Sequence, residues 1–274
     1  TCYRIAYELK RKFGLLKKKF PTIIKFNKVS KDEFAVSSFL LNFQDILLNE
    51  STGVDYKDIK ENGRKILSGD LRFFNAEWLN LGLNYDWITN PVNGFKYDVS
   101  KHWSDIADFS SDAGDIKYVW EKSRFSWLLT LIRYDYHFKI DLGEFVFSEI
   151  DSWIQHNPIN FGPNWRCSQE ISLRIFNWYI AMSYYKNNKA FTEERWSKIQ
   201  HVIYASLHHV YHHINFSRIA VRNNHAVTET MFLALIDVLF PFFPETNKWA
   251  KERRKWFEKE IEYQIYQDGT FLQF

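Results

Sequence analysis

The feature that most constrains this chain is a helical apolar period running, with few interruptions, from residue 115 to residue 267. In its first segment Ile116, Val119, Trp120, Trp127, Leu128, Leu131 and Tyr134 recur mostly at three- and four-residue intervals, the spacing that places side chains on one face of an α-helix. The period predicts helices over 115–138, 143–156, 164–187, 192–216, 223–240 and 246–267. Pro158 lies just beyond the second, Thr192 is an N-cap, Pro241 and Pro244 bound the fifth, and Asp268-Gly269 stops the last. Only 10 glycines and 6 prolines occur in 274 residues, which favours long helices over tight turns. Helices of roughly 15–25 residues joined by short loops pack as antiparallel pairs. The expected fold is therefore all-α: a bundle, a solenoid or an α/α toroid. No fixed-period repeat is visible.

Upstream of this run the pattern changes. In residues 1–20 Tyr3, Ile5, Leu9, Phe13, Leu16 and Phe20 share a broad apolar face, surrounded by Lys10, Arg11, Lys12, Lys17, Lys18 and Lys19. This reads as a helix packed on the body with a solvated basic face; contact with a membrane surface or a polyanion is the alternative. Residues 21–110 are punctuated by Gly53, Gly63, Gly69, Gly82, Pro91 and Gly94. They read as an ordered, irregular arm with short strands around 71–87. The expected division is 1–110 as basic helix and arm, and 111–274 as the helical body, within one continuous domain.

Composition excludes several classes. With 46% apolar and 25% charged residues the chain is globular, not disordered, collagenous or coiled-coil. A net charge of +3 does not call for nucleic acid. No apolar stretch approaches about 18 residues, so no stable membrane insertion is expected, and the scattered charges of the first 20 residues do not form a signal peptide. Cys2 and Cys167 are too few for a disulfide framework or a cysteine-rich zinc site. The 25 Phe, 15 Tyr and 11 Trp are abundant; they build a bulky core or line a groove for the flat faces of sugars.

Four clusters carry possible chemistry. Arg222-Asn223-Asn224-His225 falls where one helix ends and the next begins. Polar side chains beside the free N–H groups of a helix N-terminus favour an anion, and an amide next to an imidazole can stabilise charge developing on a carboxylate. The simpler reading is an asparagine cap with an exposed histidine. His208, His209, His212 and His213 form two i,i+4 pairs that could bind zinc or copper, without the third ligand or the glutamate of a metalloprotease helix. Asp105, Asp108, Asp112, Asp115 and Glu121 form an acidic run, with Asp112 or Asp115 suited to cap the first long helix. Glu121 with Lys117, and Glu170 with Arg174, are spaced as intrahelical ion pairs. Glycine-rich phosphate loops and the serine-hydrolase elbow are missing, so nucleotide cofactors and serine chemistry have no support.

Several stretches, in this order, together resemble the heparinase II/III family of polysaccharide lyases and related alginate lyases: HWSDIADF (102–109), GDIKYVWEKSRF (114–125), NWRCSQEISLRIFNW (164–178), RNNHAVTE (222–229) and EKEIEYQIYQDGTF (258–271). The resemblance implies an α/α toroid of antiparallel helical hairpins, incomplete here, usually followed by a C-terminal β-sandwich. It implies β-elimination on an acidic polysaccharide at a bond O-linked to C4 of a uronate, with no cofactor and no metal assigned. Asn224 is then the carboxylate neutraliser and His225 its catalytic neighbour. Arg222, Asn223, Arg124, Arg174, Trp165 and Glu121 are the expected substrate contacts. In the family a catalytic tyrosine follows the QI-x-x-DG segment. The chain stops at Phe274 and is read as ending before that tyrosine and before the β-sandwich; Tyr263 and Tyr266 precede Asp268-Gly269 and are not substituted for it. A periplasmic or secreted location follows from the family alone. The rival readings are a toroidal glycoside hydrolase using Asp105 and Glu170, a non-catalytic polysaccharide-binding or assembly protein, and a histidine metal module.

Overall fold

Gly14 divides the N-terminal basic run into two helices, α1 (Cys2–Lys12) and α2 (Leu15–Lys19). Its φ of 69° is a left-handed conformation that glycine adopts at little cost, so the single helix expected over 1–20 becomes two. The computed structural model describes residues 2–38, 55–107 and 109–272; Asp108 of the acidic run lies outside them. The two helices pin onto the body through rings. Phe20 is buried against Trp103, His209 and His213, with centroids 5.4, 4.8 and 5.9 Å away. Helix α3 (Lys31–Ser37) is capped by Ser30, whose Oγ accepts the Glu33 N–H, and it buries Phe34 against Trp196 at 4.8 Å.

Helix α4 (Tyr56–Leu67) opens on an Asp55 cap. Gly63 lies so close to the Tyr134 ring that a Cβ would sit 2.5 Å from it, which explains a glycine inside a helix. An antiparallel hairpin follows, β1 (Asp70–Phe73) with β2 (Glu77–Asn80), in register Asp70↔Asn80. The strands expected around 71–87 thus end at Asn80, and 81–107 is irregular chain with one 3₁₀ turn at Trp103–Asp105. That arm is held by side chains that bond to its backbone. Lys122 Nζ donates to the Asp86 and Thr89 carbonyls at 2.6 and 2.8 Å, and Asn164 Nδ2 to the Trp87 carbonyl at 2.9 Å. A two-residue pair, β3 (Phe109–Ser110) with β4 (Gly114–Asp115), precedes the helical body.

The first long helix expected over 115–138 is broken. Asp115 accepts the Lys117 N–H at the start of α5 (Lys117–Ser123). The chain then turns, and α6 (Leu128–Phe138) begins anew. At the break Phe125 has φ 60°, a conformation bulky residues avoid. Its fully buried ring stacks on Trp87 at 4.8 Å and meets Trp178 edge-on at 5.5 Å. Packing of this ring offsets the local strain and stops the helix.

Next come α7 (Gly143–His156), a 3₁₀ turn at Pro163–Trp165, and α8 (Ser168–Tyr184). Then follow α9 (Glu193–Asn215), α10 (Asn224–Leu239) and α11 (Pro244–Gln264). Thr192 caps α9 as expected, accepting the Arg195 N–H at 3.2 Å. Helix α8 packs on α6, α9 and α10, and α10 packs along α11. The architecture is all-α and toroid-like, built of packed helices. Trp87, Trp103, Trp153, Trp165, Trp178 and Trp196 are all fully buried, so most of the tryptophan surplus is core. A second, smaller core gathers Tyr97, Ile106, Ala113, Ile116, Val119, Trp120 and Cys167. Among the described residues no helix is long and apolar enough to cross a membrane.

Candidate active site

The junction between α9 and α10 is built by one wide turn. Residues Phe216–Val221 continue α9 as a π-turn, closed by the Arg222 N–H donating to the Ser217 carbonyl at 2.7 Å. Such turns recur at functional sites because they displace side chains from the regular helical register. Arg222 then takes φ 51° and Asn223 an extended conformation. Asn223 Oδ1 accepts the His225 N–H at 3.0 Å and so caps α10. With the cap filled by Asn223, Asn224 stands first in the helix, half-buried, and its amide makes no side-chain hydrogen bond among the described residues. Arg222 is exposed, its guanidinium over the Tyr263 ring at 3.9 Å.

His225 lines a recess of about 430 Å³ together with Trp120, Cys167, Ser168, His213 and Glu229. Its Nδ1 lies 3.7 Å from Cys167 Sγ. Glu229 follows one turn later on α10 and is fully buried. Ser217 Oγ donates to its Oε1 at 2.7 Å, while Oε2 has no partner among the described residues. Burial pushes the Glu229 carboxyl up to about 8, only partly opposed by the Ser217 bond. His213 bridges Ser168 Oγ at 2.9 Å and Tyr7 OH at 3.0 Å. Burial, with Arg166 and Lys19 adding to it, pulls its imidazole down to about 3, so it is neutral.

The structure therefore brings Arg222, Asn223, Asn224 and His225 together at one helix start. The other expected contacts are held in ion pairs or packed in the core. Arg124 grips Glu170 in a two-point bond, Nε to Oε2 and Nη2 to Oε1, each 2.9 Å, and its Nη1 meets Glu121 at 2.8 Å. Glu121, Arg124 and Glu170 form an ion triad, in place of the pairs expected with Lys117 and Arg174. Arg174 and Trp165 are in the core with no exposed surface, out of reach of a polymer. Arg174 stacks on Trp153 at 4.2 Å and donates to the Asn164 carbonyl. The two carboxylates of the hydrolase reading are each committed to a different ion pair. Asp105 pairs with Lys17 at 2.6 Å, and Glu170 is held by Arg124. The histidine quartet splits: the His208 and His212 rings lie 4.3 Å apart and tilted, while His209 bonds Asn160 at 2.8 Å. Among the described residues no group of three or more His, Cys, Asp or Glu is placed to hold a metal ion.

Glu229, His213 and Ser168 escaped the sequence reading of the site. The i,i+4 spacing of His225 and Glu229 was the available signal for the first. Nothing local marks which histidine of the quartet meets the recess, or that Ser168 reaches it.

Residues 35–274 match the family model described as Heparinase II/III N-terminus. The chain belongs to the heparinase II/III family. Its fold is similar to that of heparan sulfate lyase HepC from Pedobacter heparinus, with a TM-score of 0.65 and 18% identity over 88% of this chain and 36% of that one. A mutant of the same lyase gives 0.60 and 17% identity, covering 88% of this chain and 36% of that one. A heparinase III gene product with methylated lysines gives 0.57 and 17%, over 88% of this chain and 38% of that one. This family member thus spans little more than a third of the length of those neighbours. No curated protein matches its sequence.

Proposed function

We propose that this chain carries the carboxylate-neutralising residues of a polysaccharide lyase active site, acting on a uronate-containing anionic polysaccharide by β-elimination. The observation that carries the reading is the Asn224 amide, without a side-chain hydrogen bond among the described residues, set at the start of α10 by the Asn223 cap and next to His225 in the chain. In the elimination a base removes the C5 proton of the uronate, and that electron pair forms the C4=C5 double bond. The C4–O bond breaks, and the leaving oxygen takes a proton. Removing the C5 proton places negative charge on the uronate carboxylate. Asn224 Nδ2 donates to a carboxylate oxygen, His225 stands at the same group, and the first-turn N–H groups of α10 add their partial positive charge. The exposed Arg222 guanidinium is the nearby cation for a second acidic group. The bond cleavage needs no cofactor, and the site of action is the periplasm or the cell exterior.

The test is an ultraviolet assay for unsaturated uronate on heparan sulfate, alginate, hyaluronan and bacterial exopolysaccharides. With the natural full-length protein, absorbance should grow with one of them, and Asn224→Ala in it should lower kcat/KM by about 100-fold or more. Release of reducing ends without that absorbance would replace this reading with hydrolysis. Tight binding with no product of either kind would replace it with a binding protein.

A further inference from the structure

Helix α1 leaves an apolar and basic face uncovered. Ile5, Leu9 and Phe13, four residues apart, are 65%, 49% and 72% exposed, while the opposite face is anchored through buried Tyr7. Ile5 and Leu9 are walls of a groove of about 820 Å³ that also takes in Arg4, Arg11, Lys12, Lys17 and Arg166. Its two carboxylates are already answered, Glu8 by Arg11 at 2.8 Å and Asp105 by Lys17 at 2.6 Å. Arg4 and Lys12 make no ion pair among the described residues and are exposed. The groove is thus a recess with apolar walls and excess positive charge. It also adjoins the candidate active site, because Arg166 and Phe216 line both recesses. The helix that builds it lies outside residues 35–274, the part that matches the family model.

We propose that this groove is a binding subsite for a sulfated or carboxylated glycan segment continuous with the uronate held at Asn224 and His225; it rests on that reading of the site. Sugar rings present apolar faces that fit Ile5, Leu9 and Phe216. Their acidic groups meet Arg4 and Lys12, whose cations attract a polyanion over about a Debye length and gain by releasing its counterions. An anionic lipid surface shares the charge requirement but not the shape. A helix lying on a bilayer presents its apolar residues convexly, whereas Ile5 and Leu9 here line a recess beside Arg166.

The experiment compares the wild-type chain with Arg4→Glu/Lys12→Glu, two exposed positions without ion pairs among the described residues, after confirming that both melt at the same temperature. The probes are a heparan sulfate tetrasaccharide, a dodecasaccharide of the same polymer, and phosphatidylcholine vesicles containing phosphatidylserine. Wild type should bind the dodecasaccharide more tightly than the tetrasaccharide, and the double variant should shrink that ratio about tenfold and flatten the salt dependence of dodecasaccharide binding. No length preference in wild type, or an unchanged ratio in the variant, overturns the proposal. Vesicle binding that the variant abolishes, with glycan binding intact, overturns it in favour of a membrane contact. Asn224→Ala separates the two readings. If it leaves the elimination rate of the natural full-length protein unchanged while the double variant still lowers the ratio, the active-site reading fails and the groove stands as a polyanion site.

Discussion

Cys167 Sγ lies 3.7 Å from His225 Nδ1, which ties the residue before α8 to the first turn of α10. The thiol is buried, and burial pushes its pKa far up, with the carboxylates Glu170 and Glu229 adding to the shift. It is therefore a packed, protonated group and not a nucleophile. Iodoacetamide should label exposed Cys2 and spare Cys167 in the native protein, and label both in denaturant. Mass spectrometry of the two digests reads this directly; native labelling of Cys167 would show that the recess opens.

Asn223 holds the helix start with its side chain, so its loss should cost stability. Asn223→Ala removes the acceptor of the His225 N–H and should lower the unfolding free energy by about 1 kcal/mol. Asn223→Asp keeps an acceptor and should recover most of it. Urea titration of the three proteins decides.

Glu229 makes stability depend on pH. Its folded carboxyl is raised from 4.5 to about 8 by burial, so between those values the folded state holds a proton that the unfolded state has released. Stability is fullest below about 4.5 and falls as pH rises towards about 8, by an amount on the order of a few kcal/mol. Glu229→Gln should flatten that part of the profile. Chemical denaturation at a series of pH values reads the slope.

Arg124 binds two carboxylates that are each only 8% exposed. Arg124→Ala leaves them uncompensated and should cost about 3–5 kcal/mol. Arg124→Lys should restore only part, because a lysine cannot make the two-point bond to Glu170. Thermal melts that show Arg124→Ala within error of wild type would remove the triad from the account of stability.

Tyr7 and His213 join parts of the chain 206 residues apart. Tyr7→Phe keeps the ring and leaves His213 Nε2 without its partner, a loss of about 1–2 kcal/mol. The loss should appear first as faster amide hydrogen exchange in α1. Unchanged exchange there would mean that ring packing alone, including Phe20 on Trp103, holds the segment.

Much of the helical body was legible because its signals are local. Thr192 and Asn223 each cap a helix by bonding a backbone N–H two or three residues on, and the prolines at 241 and 244 bracket the gap between α10 and α11. A cap or a period needs only neighbours along the chain, and the family was legible from the same segments. Among the expected site residues, Arg222 to His225 stay together because they are contiguous.

Tertiary structure decided everything that turns on which distant group a side chain meets. Arg124 was free to face a substrate until folding placed Glu170 and Glu121 around it. Trp165 and Arg174 fit a sugar groove by residue type, and packing put both in the core. Phe125 lies in a stretch with unbroken helical period, yet its stack on Trp87 ends the helix. His213 and Glu229 became part of the recess only when α8, α9 and α10 converged. Helix period and capping are set by hydrogen bonds a few residues long, so they are written in the sequence. Burial and ion pairing depend on distances between residues far apart in the chain, and those exist only once the core has closed.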